Sequence, residues 1–233
     1  SAVMYLDPVT GLPLREFLTD GADEVRSLAY NGLGDLLQET SYGRFEDAPG
    51  SALTTYAYDP EGRLAVMLES HGYTTRFGYD GFGQLLSVAD ANDAVTRYGY
   101  SAFGELVIID SPDTGTTSYL YDEAGNLTRR IDGNSQVTQL AHDALGRVTQ
   151  IDYPGLENDV TLRYDEGLYG KGRLTSASDG SGSSRYQYDD RGLLLHLDSE
   201  IAGIPFAIDY AYSQAGELSG MTYPGGGHVR YNY

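Results

Sequence analysis

The sequence predicts an all-β fold in which tandem β-hairpins of about 21 residues form one long antiparallel sheet. Three observations predict this fold class: a fixed period along the chain, a turn phrase closed by glycine in each period, and alternating tyrosines ahead of each turn. A fixed period of this size is the sequence signature of a repeat architecture. It therefore carries more weight than the secondary-structure propensity of any single residue.

The period is defined by a phrase that reads Tyr-x-Tyr-Asp-x-x-Gly-x-Leu, as in residues 119–127, and we call its second tyrosine the anchor. Four successive intervals of 21 residues separate the anchors from Tyr58 to His142. The anchors are Tyr30, Tyr58, Tyr79, Tyr100, Tyr121, His142, Tyr164, Tyr188, Tyr212 and Tyr233. Glycine follows four residues after the anchor at Gly34, Gly62, Gly83, Gly104, Gly125, Gly146, Gly192 and Gly216.

Each part of the phrase has a physical reason. Aspartate at the start of a tight turn accepts hydrogen bonds from the backbone that follows, and glycine adopts positive φ without steric cost. Alternation places Tyr119 and Tyr121 on one face of a strand. We expect tyrosines of neighbouring repeats to stack against each other across strands. The predicted structural repeat residues are Tyr58, Asp59, Gly62, Leu64, Tyr79, Asp80, Gly83, Leu85, Tyr100, Gly104, Leu106, Tyr121, Asp122, Gly125, Leu127, Asp143, Gly146, Tyr188, Asp189, Gly192, Tyr212 and Gly216.

Two strands and two turns fit into each period, so the chain is predicted to hold about eleven hairpins in series. The strand after the glycine alternates less regularly. Under strict alternation Leu127 and Ile131 share a face, whereas Val148 and Ile151 do not. The period is therefore a firmer prediction than the facing of this strand.

Several segments depart from the regular period. Residues 1–29 form an irregular first repeat, and residues 45–51 are predicted to be a protruding loop in the long interval after Tyr30. The turn after Tyr164 is lengthened by residues 166–170. Residues 179–184 are predicted to be a long hairpin tip, and residues 201–206 lengthen a further hairpin.

The phrases at residues 58–64, 121–127 and 142–148 resemble the RHS/YD-repeat family, and the resemblance extends over essentially the whole chain. It implies a repeat sheet that curls into part of a hollow β-shell or cocoon. Members include bacterial polymorphic toxins, the C components of insecticidal toxin complexes and the teneurins of animal cell surfaces. The resemblance also implies a secreted or cell-surface location and an enclosed polypeptide cargo. The chain lacks the family's Asp-Pro-rich self-cleaving core; residues 7–12 only faintly resemble it.

Chain length and net charge limit the domain organisation and the kinds of partner. The 233 residues are expected to form a single continuous array over 1–233, a fragment of a longer protein that starts without methionine and stops within a phrase. A net charge of −19 argues against nucleic acid and anionic membrane surfaces as partners, and no apolar run is long enough for membrane insertion. The chain has no cysteine, which rules out disulfides.

No catalytic, cofactor-binding or metal site is predicted. The four histidines are spread over different repeats, and His142 replaces an anchor tyrosine. Residues 167–172 resemble a phosphate-binding loop only superficially. The acidic turns around Asp90 and Asp189 lack a calcium-binding loop pattern, so their carboxylates are expected to serve the backbone.

Three functional hypotheses follow. The preferred one is a non-catalytic scaffold, a segment of an RHS-type shell that encapsulates and helps to deliver a C-terminal toxin polypeptide. The alternative is a cell-surface adhesion or carbohydrate-binding module, in which exposed tyrosines stack on sugar rings. The third hypothesis is that the protein is an enzyme. The isolated fragment would present two open edge strands, so we expect it to oligomerise or misfold unless its charge prevents this.

Overall fold

The computed structural model describes residues 2–6, 12–19, 25–45, 48–155 and 158–233. The chain divides into two compact units, Ser1–Thr116 (unit 1) and Thr117–Tyr233 (unit 2). Within the described residues there is no helix, and all regular elements are β-strands.

Unit 1 contains ten strands within its described residues, and each pairs antiparallel with the next along the chain. They are β1 (Ala2–Leu6), β2 (Pro13–Thr19), β3 (Val25–Tyr30), β4 (Leu36–Phe45), β5 (Ala48–Tyr58), β6 (Leu64–Glu69), β7 (Thr74–Tyr79), β8 (Leu85–Ala89), β9 (Val95–Tyr100) and β10 (Leu106–Ser111). The hairpin connections follow the repeat, because each anchor ends one strand and the apolar residue six positions later begins the next.

Unit 2 continues the pattern with eleven strands in its described part, again paired in chain order and antiparallel. They are β11 (Gly115–Tyr121), β12 (Leu127–Ile131), β13 (Val137–His142), β14 (Val148–Asp152), β15 (Val160–Tyr164), β16 (Leu174–Asp179), β17 (Gly182–Tyr188), β18 (Leu194–Ile201), β19 (Ile204–Tyr212), β20 (Leu218–Thr222) and β21 (His228–Arg230). The predicted all-β fold of antiparallel hairpin repeats is confirmed.

A β-bulge follows the glycine-closed turn of every anchored hairpin from Tyr30 to Tyr212. In unit 2, Tyr121 lies opposite Leu127, but Leu120 lies opposite Arg129, which leaves Thr128 as the extra residue. An extra residue of this kind shifts the alternation of the strand that carries it.

The structure overturns three predictions, and the bulge explains the first two. Leu127 and Ile131 do not share a face, because they lie opposite Tyr121 and Ser118, three positions apart on β11. Val148 and Ile151 share a face, because they lie opposite His142 and Leu140, two positions apart on β13. Strict alternation had placed them on opposite faces. The predicted stacking of tyrosine on tyrosine across neighbouring strands is also wrong. An anchor lies opposite the apolar residue of its own hairpin, as in Tyr188 opposite Leu194, and a whole strand separates it from the next anchor.

Two chemically different faces result. In unit 2 the tyrosine face, as we call it, carries Leu140, Val148, Ile151, Leu162, Tyr164, Leu174, Tyr186, Tyr188, Leu194, Leu197, Ile208, Tyr210, Tyr212, Leu218 and Met221. The polar face carries Gln139, Gln150, Asp152, Thr161, Arg163, Ser176, Ser178, Arg185, Gln187, His196, Asp198, Asp209 and Thr222. In unit 1 the tyrosine face includes Tyr56, Tyr58, Leu64, Met67, Phe77, Tyr79, Leu85, Val88, Tyr98, Tyr100 and Ile109.

Neither unit has a hydrophobic core in the usual sense. Among the described residues no apolar side chain is buried, and the buried polar ones are Ser27, Thr117, Thr175 and Ser199. A soluble domain normally packs an apolar sheet face against a second layer. Here the described part of each unit is one layer of sheet, so its tyrosine face is only half-buried.

The irregular segments are more strand-like than predicted. The predicted loop at 45–51 is wrong where the structure describes it, since β4 and β5 pair as far as Phe45 and Ala48. The tip at 179–184 is shorter than predicted, because Asp179 already pairs with Gly182. The lengthened turn after Tyr164 and the long hairpin around residues 201–206 are as expected. Most of the irregular stretch at residues 7–12 lies outside the described residues.

Candidate functional site

The repeated turn is the best-defined local site of the chain. In unit 2, Asp122 Oδ1 accepts hydrogen bonds from the backbone N–H groups of Ala124 and Asn126, both at 2.9 Å. Asp122 N donates to Asn126 O, and Gly125 N donates to Asp122 O. Gly125 has φ of 82°, the conformation that favours glycine. One carboxylate therefore fixes the whole turn.

Most of the other repeat turns have the same geometry. The aspartates after the anchors accept paired backbone hydrogen bonds at Asp59, Asp80, Asp143 and Asp189, and Ser101 takes this role after Tyr100. The second turns of two repeats do likewise through Asp90 and Asp132. The glycines have positive φ at Gly62, Gly83, Gly104, Gly146, Gly192 and Gly216.

The anchor tyrosine joins one repeat to the preceding one. Its hydroxyl donates a hydrogen bond to the backbone carbonyl of the earlier repeat's apolar residue, which lies on the adjacent strand. The pairs are Tyr58 to Leu36, Tyr79 to Leu64, Tyr100 to Leu85, Tyr188 to Leu174 and Tyr212 to Leu194, at 2.7–3.0 Å. Burial raises the pKa of the Tyr188 and Tyr212 hydroxyls. Sequence reasoning missed these bonds, because nothing in the phrase shows how far a hydroxyl reaches.

Arginine after the turn glycine adds a second link between repeats. The Arg63 guanidinium lies 4.7 Å from the ring centroid of Tyr79 and donates to Asp80 O. In unit 2, Arg147 lies 4.3 Å from the Tyr164 ring and bridges the carboxylates of Asp143 and Asp165. Cation–π contacts of this type stabilise partly desolvated sites. The recurrence of arginine directly after the glycine was the available sequence signal.

The bulge residue contributes a third repeated bond where it is threonine. The hydroxyls of Thr128, Thr149 and Thr175 donate to the carbonyl of the residue before the anchor, at 3.1–3.2 Å. The bulge is therefore stabilised by a side chain as well as by backbone pairing. Sequence reasoning missed this role because it did not foresee the bulge.

Replacing Tyr79 with phenylalanine is expected to lower the free energy of unfolding by about 1 kcal/mol, the net value of one hydrogen bond. The ring stays, and only the bond to Leu64 O is lost. Tyr98→Phe is the matched control, because its hydroxyl has no hydrogen-bond partner in the described residues. Urea denaturation of both variants measures the difference, and equal losses would contradict the assigned bond.

Acid is expected to weaken the turns. Hydrogen bonds from the Asn126 side chain lower the pKa of Asp122, and the Arg147 guanidinium lowers those of Asp143 and Asp165, the latter to about 2. A carboxyl with a lowered pKa stabilises the fold above its unfolded value, near 4, and loses that effect as pH falls towards about 2.

The measurement is the thermal unfolding midpoint across this window. The midpoint is expected to fall between about pH 4 and about pH 2. The Arg147→Gln variant lacks the guanidinium that lowers the two aspartate pKa values, so its midpoint should fall less than that of the parent chain over the same range. A midpoint that stays constant through the window would contradict the role of these carboxylates.

His196 forms an ion-pair cluster on the polar face. Its Nδ1 lies 2.6 Å from Asp209 Oδ1, and its Nε2 lies 3.1 Å from Asp198 Oδ1. The bond to Asp209, then that to Asp198, raises the pKa of His196. Both ring nitrogens are engaged by carboxylates, and the contact with Asp209 joins β18 to β19.

The described residues contain no group of three or more His, Cys, Asp or Glu side chains that could hold a metal ion. In the same part of the chain there is no helix long and apolar enough to cross a membrane. The carboxylates of Asp90 and Asp189, considered above for calcium, accept backbone hydrogen bonds instead.

The comparison with protein families is decisive. A family model described as RHS Repeat matches residues 58–95, 79–116, 121–155 and 169–200, together more than half of the chain. The chain belongs to the RHS repeat family. The matched segments of this RHS chain contain the Asp-fixed turns and most of the anchor tyrosines described above. No curated protein matches the chain in sequence.

Two solved structures share the fold. The RHS chain is similar to TcdB2-TccC3 without its hypervariable C-terminal region, with 16% identity, a TM-score of 0.61, and coverage of 98% of this chain and 15% of that one. It is also similar to the Photorhabdus luminescens Tc holotoxin pore, with 16% identity, a TM-score of 0.63, and coverage of 91% and 14%. The RHS chain therefore spans only a small part of the chains that it resembles.

Proposed function

We propose that this RHS chain is a segment of a shell wall, a non-catalytic scaffold that encloses a C-terminal toxin polypeptide and helps to deliver it. The wall acts by steric sequestration, since a continuous hydrogen-bonded sheet separates the cargo from its surroundings. Closing the sheet on itself also hides strand edges that would otherwise pair with other chains. The partners are the rest of the wall and the cargo, and the location is outside the producing cell.

The observation that supports this function is the single layer of sheet. The tyrosine face holds aliphatic and aromatic side chains, and no described residue of either unit is a buried apolar core residue. A free-standing domain would cover such a face with a second layer. A wall segment instead leaves the covering to other parts of its assembly.

Membership of the RHS family and the fold shared with TccC3 also support the proposal. The first structural relative is described as lacking a hypervariable C-terminal region, which fits a constant wall followed by a variable cargo. We propose that the 233 residues form one continuous array within a longer protein, with 1–29 as an irregular first repeat.

Adhesion or carbohydrate binding remains a prediction with less structural support. Stacking on sugars needs accessible tyrosine rings, but the anchors are half-buried, and several donate their hydroxyls to backbone carbonyls. Glycan-array binding that is lost when exposed tyrosines such as Tyr73 and Tyr153 are replaced would favour this second function.

The test is made on the full-length protein. It is purified under native conditions, and the denatured sample is analysed by intact mass spectrometry. The proposal predicts a separate C-terminal polypeptide that had co-purified with the repeat-containing chain. A single uncleaved chain with no retained polypeptide would contradict delivery by self-cleavage and would favour a surface-binding role.

A further inference from the structure

Large apolar side chains project from the tips of three repeat turns in unit 1. They occupy the position three residues after the anchor, at Leu33, Phe82 and Phe103. The two phenylalanines are 95% and 91% exposed. The backbone of both residues is held by the side chain that fixes the turn. Phe82 N donates to Asp80 Oδ1, and Phe103 N donates to Ser101 Oγ.

The fold does not require a large apolar residue at this position. Other repeats have Glu61, Ala124, Arg191 or Ala215 there and form the same glycine-closed turn. Single exposed apolar residues are common on protein surfaces, but neighbouring ones that create a patch are typical of interaction sites. Two exposed phenylalanines in consecutive repeats therefore call for an explanation other than folding.

A cleft of about 530 Å³ lies between the two turns, and we call it the turn cleft. Its apolar lining comes from Phe82, Leu86, Tyr100 and Phe103. Two bonds hold its walls in place: Gln84 Nε2 donates to Gly104 O at 3.3 Å, and the Tyr100 hydroxyl donates to Leu85 O at 3.0 Å. A cleft whose walls are already fixed binds with a smaller loss of entropy.

Two carboxylates without a salt-bridge partner in the described part of the chain lie at the turn cleft: Asp80 lines it, and Glu105 directly follows the lining residue Gly104 in the chain. The Asp80 carboxylate accepts two backbone hydrogen bonds, and Glu105 accepts one from the Ser101 hydroxyl. Within the described residues, no lysine, arginine or histidine forms a salt bridge with either carboxylate. The nearby Arg63 contacts Asp80 only through its backbone carbonyl and pairs with Asp59 instead.

We propose that the turn cleft is a docking surface for a polypeptide segment whose apolar side chains are flanked by lysine or arginine. The apolar side chains enter between Phe82 and Phe103, and the cations lie against Asp80 and Glu105. Hydrophobic burial supplies affinity, and the carboxylates select basic over acidic segments. This inference is independent of the proposed enclosure of a cargo, because it rests on the exposed side chains at the turn tips and not on the single layer of sheet.

The test uses the whole 233-residue chain and three labelled peptides. One has two phenylalanines flanked by lysines, the second has glutamate for each lysine, and the third has serine for each phenylalanine. Fluorescence anisotropy gives the dissociation constants for the parent chain and for a Phe82→Ser/Phe103→Ser variant. Leu145→Ser is the matched control, since Leu145 occupies the same turn position in unit 2 and is exposed.

The double variant is expected to bind the first peptide at least about tenfold more weakly, as for loss of two central aromatic contacts. Leu145→Ser should bind it as the parent does, and the parent should bind the acidic and the serine peptides more weakly than the first. Glu105→Gln should reduce the preference for lysine over glutamate. Equal affinity of the parent and the double variant, or of the parent for all three peptides, would overturn the proposal. Circular dichroism verifies the fold of each variant.

Discussion

Replacing Asp143 with alanine is expected to lower the free energy of unfolding, because it removes three hydrogen bonds to one side chain. Asp143 Oδ1 accepts from Leu145 N at 2.9 Å and Arg147 N at 3.0 Å, and Oδ2 accepts from Arg147 Nε at 2.7 Å. Alanine leaves the two backbone donors without this partner. It also releases Arg147, which lies over Tyr164 of the next repeat.

Asp143→Asn is the control, because it keeps the acceptor oxygen and removes the charge. The serine at position 101 fixes its turn with a neutral oxygen, through bonds of 3.2 Å to Phe103 N and Glu105 N. The asparagine variant should therefore lose less than half of what the alanine variant loses. Urea denaturation, fitted with one m-value for all the chains, gives the change in the free energy of unfolding for both variants. Equal stability of Asp143→Ala and the parent would show that the carboxylate does not hold the turn.

Replacing His142 with tyrosine is expected to raise the free energy of unfolding by about 1–3 kcal/mol. His142 occupies the anchor position opposite Val148, and its Nδ1 is buried without a hydrogen-bond partner. In the other repeats an anchor tyrosine donates to the carbonyl of the preceding apolar residue, which here is Leu127. Tyrosine would add that bond and remove the unpaired nitrogen.

His142→Phe separates the two contributions. It removes the unpaired nitrogen but has no hydroxyl, so the tyrosine variant should be more stable than the phenylalanine variant by about 1 kcal/mol. Thermal and urea unfolding of the three chains measure this order. If neither variant is more stable than the parent, the histidine is not a defect in the series of anchors, and the equivalence of the anchor positions is wrong.

The sequence predicts the hairpin repeat and its turns well, because both are local. Asp122 and Gly125 are three residues apart, and the bonds that they make are within one turn. The period then gives the strand order, since each strand pairs with the next along the chain. Little long-range information is needed for such a meander.

The sequence does not predict what happens between repeats. Thr128 and Thr149 are ordinary strand residues by propensity, and nothing in their spacing predicts a bulge that changes the facing of the residues after it. The bond from the Tyr188 hydroxyl to Leu174 O joins two repeats and spans 14 residues, from β17 to the adjacent β16. Such contacts depend on the register and twist of the sheet, which the phrase does not encode directly.

The turn cleft also could not be foreseen from the repeat. Phe82 and Phe103 lie at a variable position of the phrase, directly before the glycine, and the phrase assigns no role to that position. Their significance depends on two facts of the structure: both side chains are exposed, and a cleft lies between their turns.

The most direct test of the account is a cryo-electron microscopy reconstruction of the natively purified full-length protein. The expected result is a closed wall of antiparallel hairpins that contains the turns of residues 58–142, with polypeptide density inside it. An open sheet, or a closed wall with an empty interior in an uncleaved protein, would contradict the central claim that this RHS chain is part of an enclosure for a polypeptide.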